Sequence, residues 1–363
     1  MCTIAGYAGQ KRAAPILIDM LRREQFFDGG LSTGIATIHE GKLYTAKVTG
    51  DLDELIENTD AAELPGCVGI IHSRTSGNLV SHAHPFASDD GKLALVLNGT
   101  LRDNCTPEFY KHSNEMMQGF MDNGVEIKSA FKRSGNADPV RLLSNGLGYH
   151  DSEVYTHMIG EAVRNSSADR LADDMVVAVK KALEELPADI VLLGVHAELD
   201  GTITVGDVTR SMVVGYGDGE TYLATSAIAF PEEIGKRSIT LLPPTSVSQI
   251  TADGVKIFNT ELDGVRVEQV DFRIASEIYR RMEELLKGQK DDPKSLYDMP
   301  VYDGWRDVWS EPYVDCKYAV DGGLMKPYAT VLYEALWAFH KEGRLHMTLG
   351  ERRGHPISKF WID

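Results

Sequence analysis

Cysteine and positive charge are scarce in this chain of 363 residues. Its four cysteines, Cys2, Cys67, Cys105 and Cys316, lie far apart and form no CxxC pair, which argues against a disulfide framework and against a zinc site. The 37 Lys and Arg residues stand against 54 Asp and Glu residues, a formal net charge of −17. Because phosphate binding requires an excess of basic side chains, we expect no nucleic-acid surface and no anionic membrane surface.

Long apolar runs are also missing. The chain has no stretch of eighteen apolar residues, and its first residues lack the basic and apolar segments of a secretory signal. We therefore predict a cytoplasmic protein in a reducing compartment, without membrane contact. Hydrophobic residues make up 43% of the chain and charged residues 25%, which is typical of a globular protein that builds its own core.

The most reactive candidate residue is at the start, in Met1-Cys2-Thr3-Ile4-Ala5. If Met1 is removed, Cys2 carries both a thiol and a free α-amine. The thiolate is the nucleophilic form, and an α-amine with a pKa of about 7.7–8.0 can take the thiol proton and return it to an amine leaving group. This pairing predicts an N-terminal nucleophile. A retained Met1 would block the amine and leave Cys2 as an ordinary residue before a buried strand.

The hydrophobic pattern predicts two strand-rich blocks with helices between them. Apolar runs of strand length cover 2–8, 67–72 and 93–97, helical spacing covers 154–163 and 172–186, and short β-rich runs lie between 190 and 250. Such an order favours two sheets packed face to face with helices outside. Beyond about residue 270, Ile274, Ile278, Met282 and Leu285 form the apolar stripe of another helix.

Four polar positions could serve a nucleophile at Cys2. Asn98 and Gly99 end an apolar strand and offer a side-chain amide and an unhindered backbone N–H to an oxyanion, although an Asn-Gly turn is an alternative. Arg74 follows another apolar strand and could bind a carboxylate, or form a surface ion pair. Asp151 could hold an ammonium group, or Asp or Ser could cap the helix that begins there.

A metal or nucleotide cofactor is not indicated. His82 and His84 lie two positions apart beside Pro85, with no carboxylate or cysteine at ligand spacing. The Gly-rich stretch 215–219 matches neither a dinucleotide fingerprint nor a P-loop and is better explained as a hairpin turn. We predict no cofactor and no metal.

Six segments, in one order along the chain, resemble the class II glutamine amidotransferases, a family of N-terminal nucleophile hydrolases. They are similar to the glutaminase domain of glucosamine-6-phosphate synthase. The segments are 1–7, 21–36, 71–74, 83–85 with 96–99, 151–154 and 212–226. Six matches in one order are more specific than any single one.

The resemblance implies an α+β fold, a four-layer αββα sandwich of two antiparallel sheets. This domain would span about residues 1–265, with an insertion at about 105–145, and a helical or irregular C-terminal extension of unknown role would span 266–363. Cys2 would be the nucleophile and Asn98 and Gly99 the oxyanion hole. Arg74 would bind the α-carboxylate of glutamine and Asp151 its α-ammonium group. Thr75, Ser76 and His84 are also assigned to the substrate site.

The implied reaction is attack on the glutamine side-chain amide, release of ammonia and hydrolysis of a γ-glutamyl thioester. The segment 266–363 resembles no acceptor domain, so either a separate ammonia-accepting synthase subunit is the partner or another nucleophile reacts in this site, and a homo-oligomer is compatible. Two alternatives stay open. One is an N-terminal-Cys amidohydrolase that acts on another amide, and the other is a catalytically silent regulatory subunit with the same fold.

Overall fold

The computed structural model describes residues 2–75, 79–99, 107–132, 141–235, 239–259, 261–299, 305, 307–309 and 325–363. Two positions of the predicted site lie outside these ranges, namely Met1, whose removal the mechanism requires, and Ser76. Residues 133–140 of the expected insertion also lie outside them.

Helices and strands alternate in blocks along the described residues. The helices are α1 (Ala13–Asp28), α2 (Leu52–Asn58), α3 (Pro107–Asp122), α4 (Asp151–Val163), α5 (Leu171–Glu185), α6 (Glu232–Gly235), α7 (Phe272–Leu286) and α8 (Tyr328–Lys341). The strands are β1 (Thr3–Ala8), β2 (Ser32–His39), β3 (Lys42–Thr49), β4 (Val68–Arg74), β5 (Phe86–Ala87), β6 (Leu93–Gly99), β7 (Phe131–Lys132), β8 (Leu147–Gly148), β9 (Ile190–His196), β10 (Ile203–Asp207), β11 (Val213–Gly217), β12 (Glu220–Ala224), β13 (Ile239–Leu241), β14 (Ser246–Thr251), β15 (Gly254–Asn259), β16 (Leu345–Arg352) and β17 (His355–Ile362). In the described part of the chain, none of the helices combines the length and the apolar character needed to cross a bilayer.

The strands form two large sheets. The first has seven strands in the order β13-β11-β12-β1-β4-β2-β3, and the second has six in the order β15-β14-β10-β9-β6-β5. Neighbouring strands in both sheets run antiparallel. Strand β1 lies inside the first sheet, between β12 and β4, so the start of the chain is held from both sides.

The two sheets pack face to face through a shared apolar core. Ile4 and Ile70 of the first sheet meet Val96 and Leu193 of the second, and all four are fully buried. Each such side chain contributes about 1.5–3 kcal/mol through burial. Helices α1 and α2 cover the outer face of the first sheet, and α4 and α5 that of the second. The central strands β6 and β9 are buried on both faces, so they are nearly continuous apolar runs rather than alternating ones. The structure confirms the predicted αββα layers.

Helix α7 forms as the apolar stripe predicts. Its N-cap is Asp271, whose side chain accepts a hydrogen bond from the Ile274 N–H at 2.8 Å. Ile274 is buried as expected, but Leu286 rather than Leu285 is the last fully buried residue of the stripe.

The prediction that residues 266–363 are helical or irregular missed a hairpin. Strands β16 and β17 pair along eight residues each, and both residues of the connecting turn, Arg353 and Gly354, have positive φ values (51° and 81°), as in a type I′ turn. The hairpin packs against the sandwich, with the Phe360 and Phe27 rings 5.3 Å apart. A domain boundary near residue 265 stays a prediction.

Candidate active site

Cys2 lies immediately before β1, at the end of a strand in the interior of the first sheet. Strand β1 pairs with β4 so that Thr3 is opposite Ser73 and Ile4 is opposite His72. The same register places Cys2 beside Arg74, at the end of β4. Cys2 is partly exposed, and its Sγ lies 3.7 Å from Oγ1 of Thr75. The thiol is therefore open to a substrate and has a polar neighbour.

Asn98 comes from the second sheet and meets Cys2. Its Nδ2 donates to the backbone carbonyl of Cys2 at 2.8 Å and to Oγ1 of Thr225 at 3.3 Å. Thr225 in turn accepts a hydrogen bond from the backbone N–H of Ile4 at 3.0 Å. These contacts fix the end of β6 against the start of β1, so the amide group of Asn98 lies next to the candidate nucleophile.

Gly99, the next residue, occupies a position that excludes a side chain. Its φ is +119°, a backbone conformation that L-residues rarely adopt. A Cβ built there would lie 2.2 Å from the carbonyl oxygen of Asp189. The close approach of the two backbones explains why the strand ends in Asn-Gly here.

Arg74 is held at the edge of the site by a backbone carbonyl. Its Nη1 donates to the carbonyl oxygen of His82 at 2.8 Å. Burial lowers the pKa of Arg74, while the nearby Cys2 and Asp151 raise it. A guanidinium stays charged under such shifts. Arg74 therefore provides a fixed cation within electrostatic range of both Cys2 and Asp151.

Asp151 is the first residue of α4. The expected cap by Asp or Ser is wrong, because the N-cap is His150, whose Nδ1 accepts a hydrogen bond from the Ser152 N–H at 3.2 Å. Asp151 instead accepts a hydrogen bond from Nη1 of Arg141 at 2.5 Å. Asp151 raises the pKa of that guanidinium. The predicted ammonium ligand thus already has a cationic partner.

His84 is almost fully buried, with 2% of its surface exposed. Its Nε2 lies 2.8 Å from Oγ of Ser152, and its ring centroid lies 4.1 Å from that of His72. Burial, together with the charges of His72 and His150, lowers the pKa of His84 well below its ordinary value, so the ring is neutral at neutral pH. In the described ranges, no group of three or more His, Cys, Asp or Glu side chains could hold a metal ion.

His72 is the neighbour with the strongest effect on Cys2. Burial is the largest single influence and raises the pKa of the Cys2 thiol, but the His72 imidazole, with smaller contributions from the N-terminal charge and the Thr75 backbone, lowers it from the ordinary 9.0 to about 5. Neither ring nitrogen of His72 has a regular hydrogen-bond partner among the described residues. We therefore attribute the shift to the proximity of the two groups on one face of the sheet. At neutral pH the structure favours a thiolate at Cys2.

The expected insertion is attached to the site by hydrogen bonds. Glu153 of α4 accepts hydrogen bonds from the backbone N–H groups of Lys128 and Ser129 at 2.8 and 2.9 Å. Nε2 of His82 lies 2.9 Å from the carbonyl oxygen of Ser129. Because Arg141 also reaches Asp151, this segment is fixed to the side of the site formed by α4.

Sequence reasoning missed three residues that contact the site. His72 had a signal, since it lies two positions before Arg74 in a predicted strand and therefore on the same face. Thr225 was part of a matched segment but carried no assigned role. Arg141 had no signal, because its contact with Asp151 depends on how the insertion folds.

Comparisons with known proteins identify relatives by sequence. No family model matches the chain. It is 29% identical over 272 residues to the glutamine–fructose-6-phosphate aminotransferase (isomerizing) of Thermus thermophilus, covering 74% of this chain and 38% of that protein. The enzyme of the same name from Mycobacterium tuberculosis is 28% identical over 270 residues, covering 73% and 38%. The chain therefore spans less than two fifths of the length of these curated relatives.

Solved structures share the fold at lower sequence identity. The glutamine phosphoribosylpyrophosphate amidotransferase of B. subtilis, complexed with ADP and GMP, has a TM-score of 0.52 and 20% identity over 77% of this chain and 52% of that one. A structure described as the allosteric regulatory enzyme of purine biosynthesis has a TM-score of 0.54, with the same identity and coverage. These findings confirm what the ordered motifs predict: the chain is related to the class II glutamine amidotransferases and shares the fold of the solved amidotransferase structures.

Proposed function

We propose that the chain is a glutamine amidotransferase in which Cys2 attacks the side-chain amide of glutamine. The observation that carries this proposal is the contact between the two sheets, where the Asn98 amide lies 2.8 Å from the Cys2 carbonyl beside a thiol whose pKa is about 5. A nucleophile and a fixed donor for the oxyanion are the two elements that acyl transfer requires.

The reaction divides into two steps. The Cys2 thiolate attacks the amide carbon, and the negative oxygen that forms is stabilised by the Gly99 N–H and by the Asn98 amide, one N–H of which exchanges its long bond to Thr225 Oγ1 (3.3 Å) for the oxyanion. Collapse of this intermediate forms a γ-glutamyl thioester as the C–N bond breaks, and the nitrogen takes a proton and leaves as ammonia. Water then hydrolyses the thioester to glutamate. After removal of Met1, the α-amine of Cys2 transfers these protons.

Arg74 and Asp151 supply the selectivity for an α-amino acid. Arg74 binds the α-carboxylate, and Asp151 binds the α-ammonium group next to Arg141. Thr75, whose Oγ1 lies 3.7 Å from the Cys2 Sγ, is assigned to the substrate site, and the same assignment for Ser76 stays a prediction. His84 contacts Ser152, the residue after Asp151, at 2.8 Å and so holds the start of α4.

The ammonia acceptor is a separate synthase subunit in this proposal, in line with the aminotransferase name of the relatives. The sequence also stays compatible with a homo-oligomer. The cytoplasmic location stays a prediction.

The test is glutamine hydrolysis by the purified chain, with Cys2→Ala as the critical variant. Intact-protein mass spectrometry should first show that Met1 is absent. The wild type should form glutamate, and a glutamine-mimicking electrophile should label Cys2. Cys67→Ala, at a free and exposed cysteine, is the matched control and should keep full activity. Hydrolysis that survives Cys2→Ala would reject the mechanism.

One observation favours a second candidate, an amidohydrolase for another amide. Arg141 contacts Asp151 at 2.5 Å, and a substrate without an α-ammonium group would leave this pair intact. Comparing glutamine with acyl amides that lack the ammonium group decides between the two. Faster turnover of such amides would favour the second candidate, and no turnover of any amide would favour a silent subunit.

A further inference from the structure

Two buried polar atoms lie where the C-terminal segment covers the sandwich. Glu24 of α1 is fully buried, and its Oε2 accepts a hydrogen bond from the Ser226 N–H at 3.3 Å. Its Oε1 has no partner among the described residues. Tyr333 of α8 has 1% of its surface exposed, and its hydroxyl also has no partner there. Buried polar groups are nearly always hydrogen-bonded, so this pair requires an explanation.

The two groups are brought together by packing between α1 and α8. Phe27 follows Glu24 by three positions and so shares its helix face. The Phe27 and Tyr333 rings stack, with their centroids 6.3 Å apart and an angle of 18° between the planes. Burial raises the pKa of Tyr333, and the charges of Glu24 and Cys2 raise it further. The phenol is therefore within electrostatic range of both groups.

A line of polar contacts connects this position to Cys2. Asn98 bonds the Cys2 carbonyl at 2.8 Å and the Thr225 hydroxyl at 3.3 Å. The next residue, Ser226, bonds Glu24 through its N–H. The neighbour of Cys2, Thr3, is also fully buried, and its hydroxyl has no partner among the described residues. Oxygen atoms without a described hydrogen-bond partner therefore occur at both ends of this line, on Thr3 next to Cys2 and on Glu24.

The side chains of Glu24 and Tyr333 are chemically suited to bind a small nitrogen base. Burial raises the pKa of Glu24 well above its ordinary value, which favours the neutral carboxylic acid. Ammonia that enters accepts the proton of this acid, which leaves a carboxylate and an ammonium ion. The ammonium ion then donates N–H bonds to Oε1 of Glu24 and to the hydroxyl of Tyr333. Water can bond both groups but cannot take the proton.

We propose that Glu24 and Tyr333 form an ammonium-binding site beside Cys2, completed by α8 of the C-terminal segment. The site receives the ammonia released from glutamine and rests, in this role, on the function proposed above.

The binding test uses ammonium chloride on the Cys2→Ala protein, which cannot turn over glutamine. Ammonium chloride should raise the Tm in a saturable manner, compared with sodium chloride at the same ionic strength. Tetramethylammonium, too bulky for this packed position, should have no effect. Glu24→Gln should remove the effect, and Tyr333→Phe should weaken it. Ser248→Ala is the matched control, because the Ser248 hydroxyl is also buried without a described partner, but in β14.

Equal Tm values in ammonium and sodium chloride, or the same rise in Glu24→Gln, would overturn the site. If Glu24→Gln fails to fold, as judged by circular dichroism, the ammonium and tetramethylammonium comparison on the parent protein decides by itself. An equal response to both cations would then reject the proposal.

A second measurement links the site to turnover. When labelled ammonium in the site returns its proton to Glu24, the ammonia formed can attack the γ-glutamyl thioester: the C–N bond forms, the C–S bond breaks, and the ammonia nitrogen gives up a proton as the Cys2 thiol is released. Tyr333→Phe should lower the incorporation of label into glutamine ~tenfold while changing glutamate formation much less. Equal loss of both rates would indicate a structural role only. No glutamine hydrolysis by the wild type, with ammonium stabilisation intact, would reject the proposed function and leave the site standing.

Discussion

Replacing His72 with Gln tests whether this imidazole creates the reactive thiolate. Gln keeps a polar side chain of similar size but carries no positive charge. In the wild type the pKa of Cys2 is lowered to about 5, against an ordinary value of 9.0, although burial raises it. His72 is the neighbour that lowers the pKa of Cys2 the most. Without it, burial still raises this pKa, so the pKa should rise to its ordinary value or above.

The size of this change decides which assay is informative. At pH 7 a thiol with a pKa near 9 is only about 1% ionised, so the thiolate population should fall ~100-fold. A more basic thiolate is also a better nucleophile. With a Brønsted slope of about 0.4–0.5, the rate of attack by each thiolate should rise roughly 50-fold. The two effects nearly cancel in a rate measured at one pH. The midpoint of the pH profile is therefore the quantity to measure.

The assay is alkylation of Cys2 by iodoacetamide, followed by peptide mass spectrometry at a series of pH values. The wild-type rate should reach its plateau in the acid range, with a midpoint near pH 5, and His72→Gln should move the midpoint to alkaline pH. Cys67, a free and exposed thiol, provides an internal reference, and His39→Gln at a partly exposed histidine is the control variant. Identical midpoints in wild type and His72→Gln would refute the assignment.

Four further substitutions test the site and its frame. Asn98→Ala should lower kcat for glutamine hydrolysis about 10²–10³-fold through loss of one oxyanion donor, and a loss confined to KM would contradict this. Gly99→Ala places a Cβ 2.2 Å from the Asp189 carbonyl at a φ of +119°, so urea unfolding should show a loss of stability of more than about 2 kcal/mol; unchanged stability would show that the backbone relaxes. Arg74→Lys keeps the charge but loses the two-pronged geometry, so KM for glutamine should rise ~tenfold, and an unchanged KM would reject a role in carboxylate binding. Glu220 accepts hydrogen bonds from the hydroxyls of two tyrosines and from a lysine. Burial raises the pKa of Glu220, but these bonds lower it by more. Its stabilisation should therefore be complete above the unfolded pKa and be lost as the pH falls through the folded one. Glu220→Gln should cost about 1–3 kcal/mol at pH 7 and less near pH 3, and a cost that does not depend on pH would contradict this account.

The sequence predicts the layers of the fold and the composition of the site because both depend on local patterns. Apolar runs of strand length report strands buried on both faces, and they occur at β1, β4 and β6. Cys2, Arg74 and Asn98 each lie at the end of one of these strands, where loops carry polar side chains. Strand ends of packed sheets come together, so residues far apart in sequence meet in the fold.

Contacts that depend on tertiary packing could not be predicted from local sequence patterns. Glu24 lies in a helix whose sequence gives no reason to bury a carboxylic acid, and Tyr333 belongs to a segment without a recognised motif. Their meeting depends on the position of α8 against α1. Arg141 is a similar case, since its contact with Asp151 depends on how the insertion folds and on no local pattern. The β16–β17 hairpin could have been found, because Leu345, Met347 and Leu349 alternate before an Arg-Gly turn.

The interior position of β1 has a consequence for synthesis of the protein. Ile4 bonds to Thr225, 221 positions away, so the neighbour of β1 on that side is made long after β1 itself. At about 5–20 residues per second this delay is roughly 10–40 s on the ribosome. During that time the segment that contains Cys2 lacks β12, its neighbour on one side in the sheet, and Thr225, the residue that ties Asn98 to β1. The reactive centre can therefore assemble only when most of the sandwich has been translated, and a chain released early would carry the cysteine without the site.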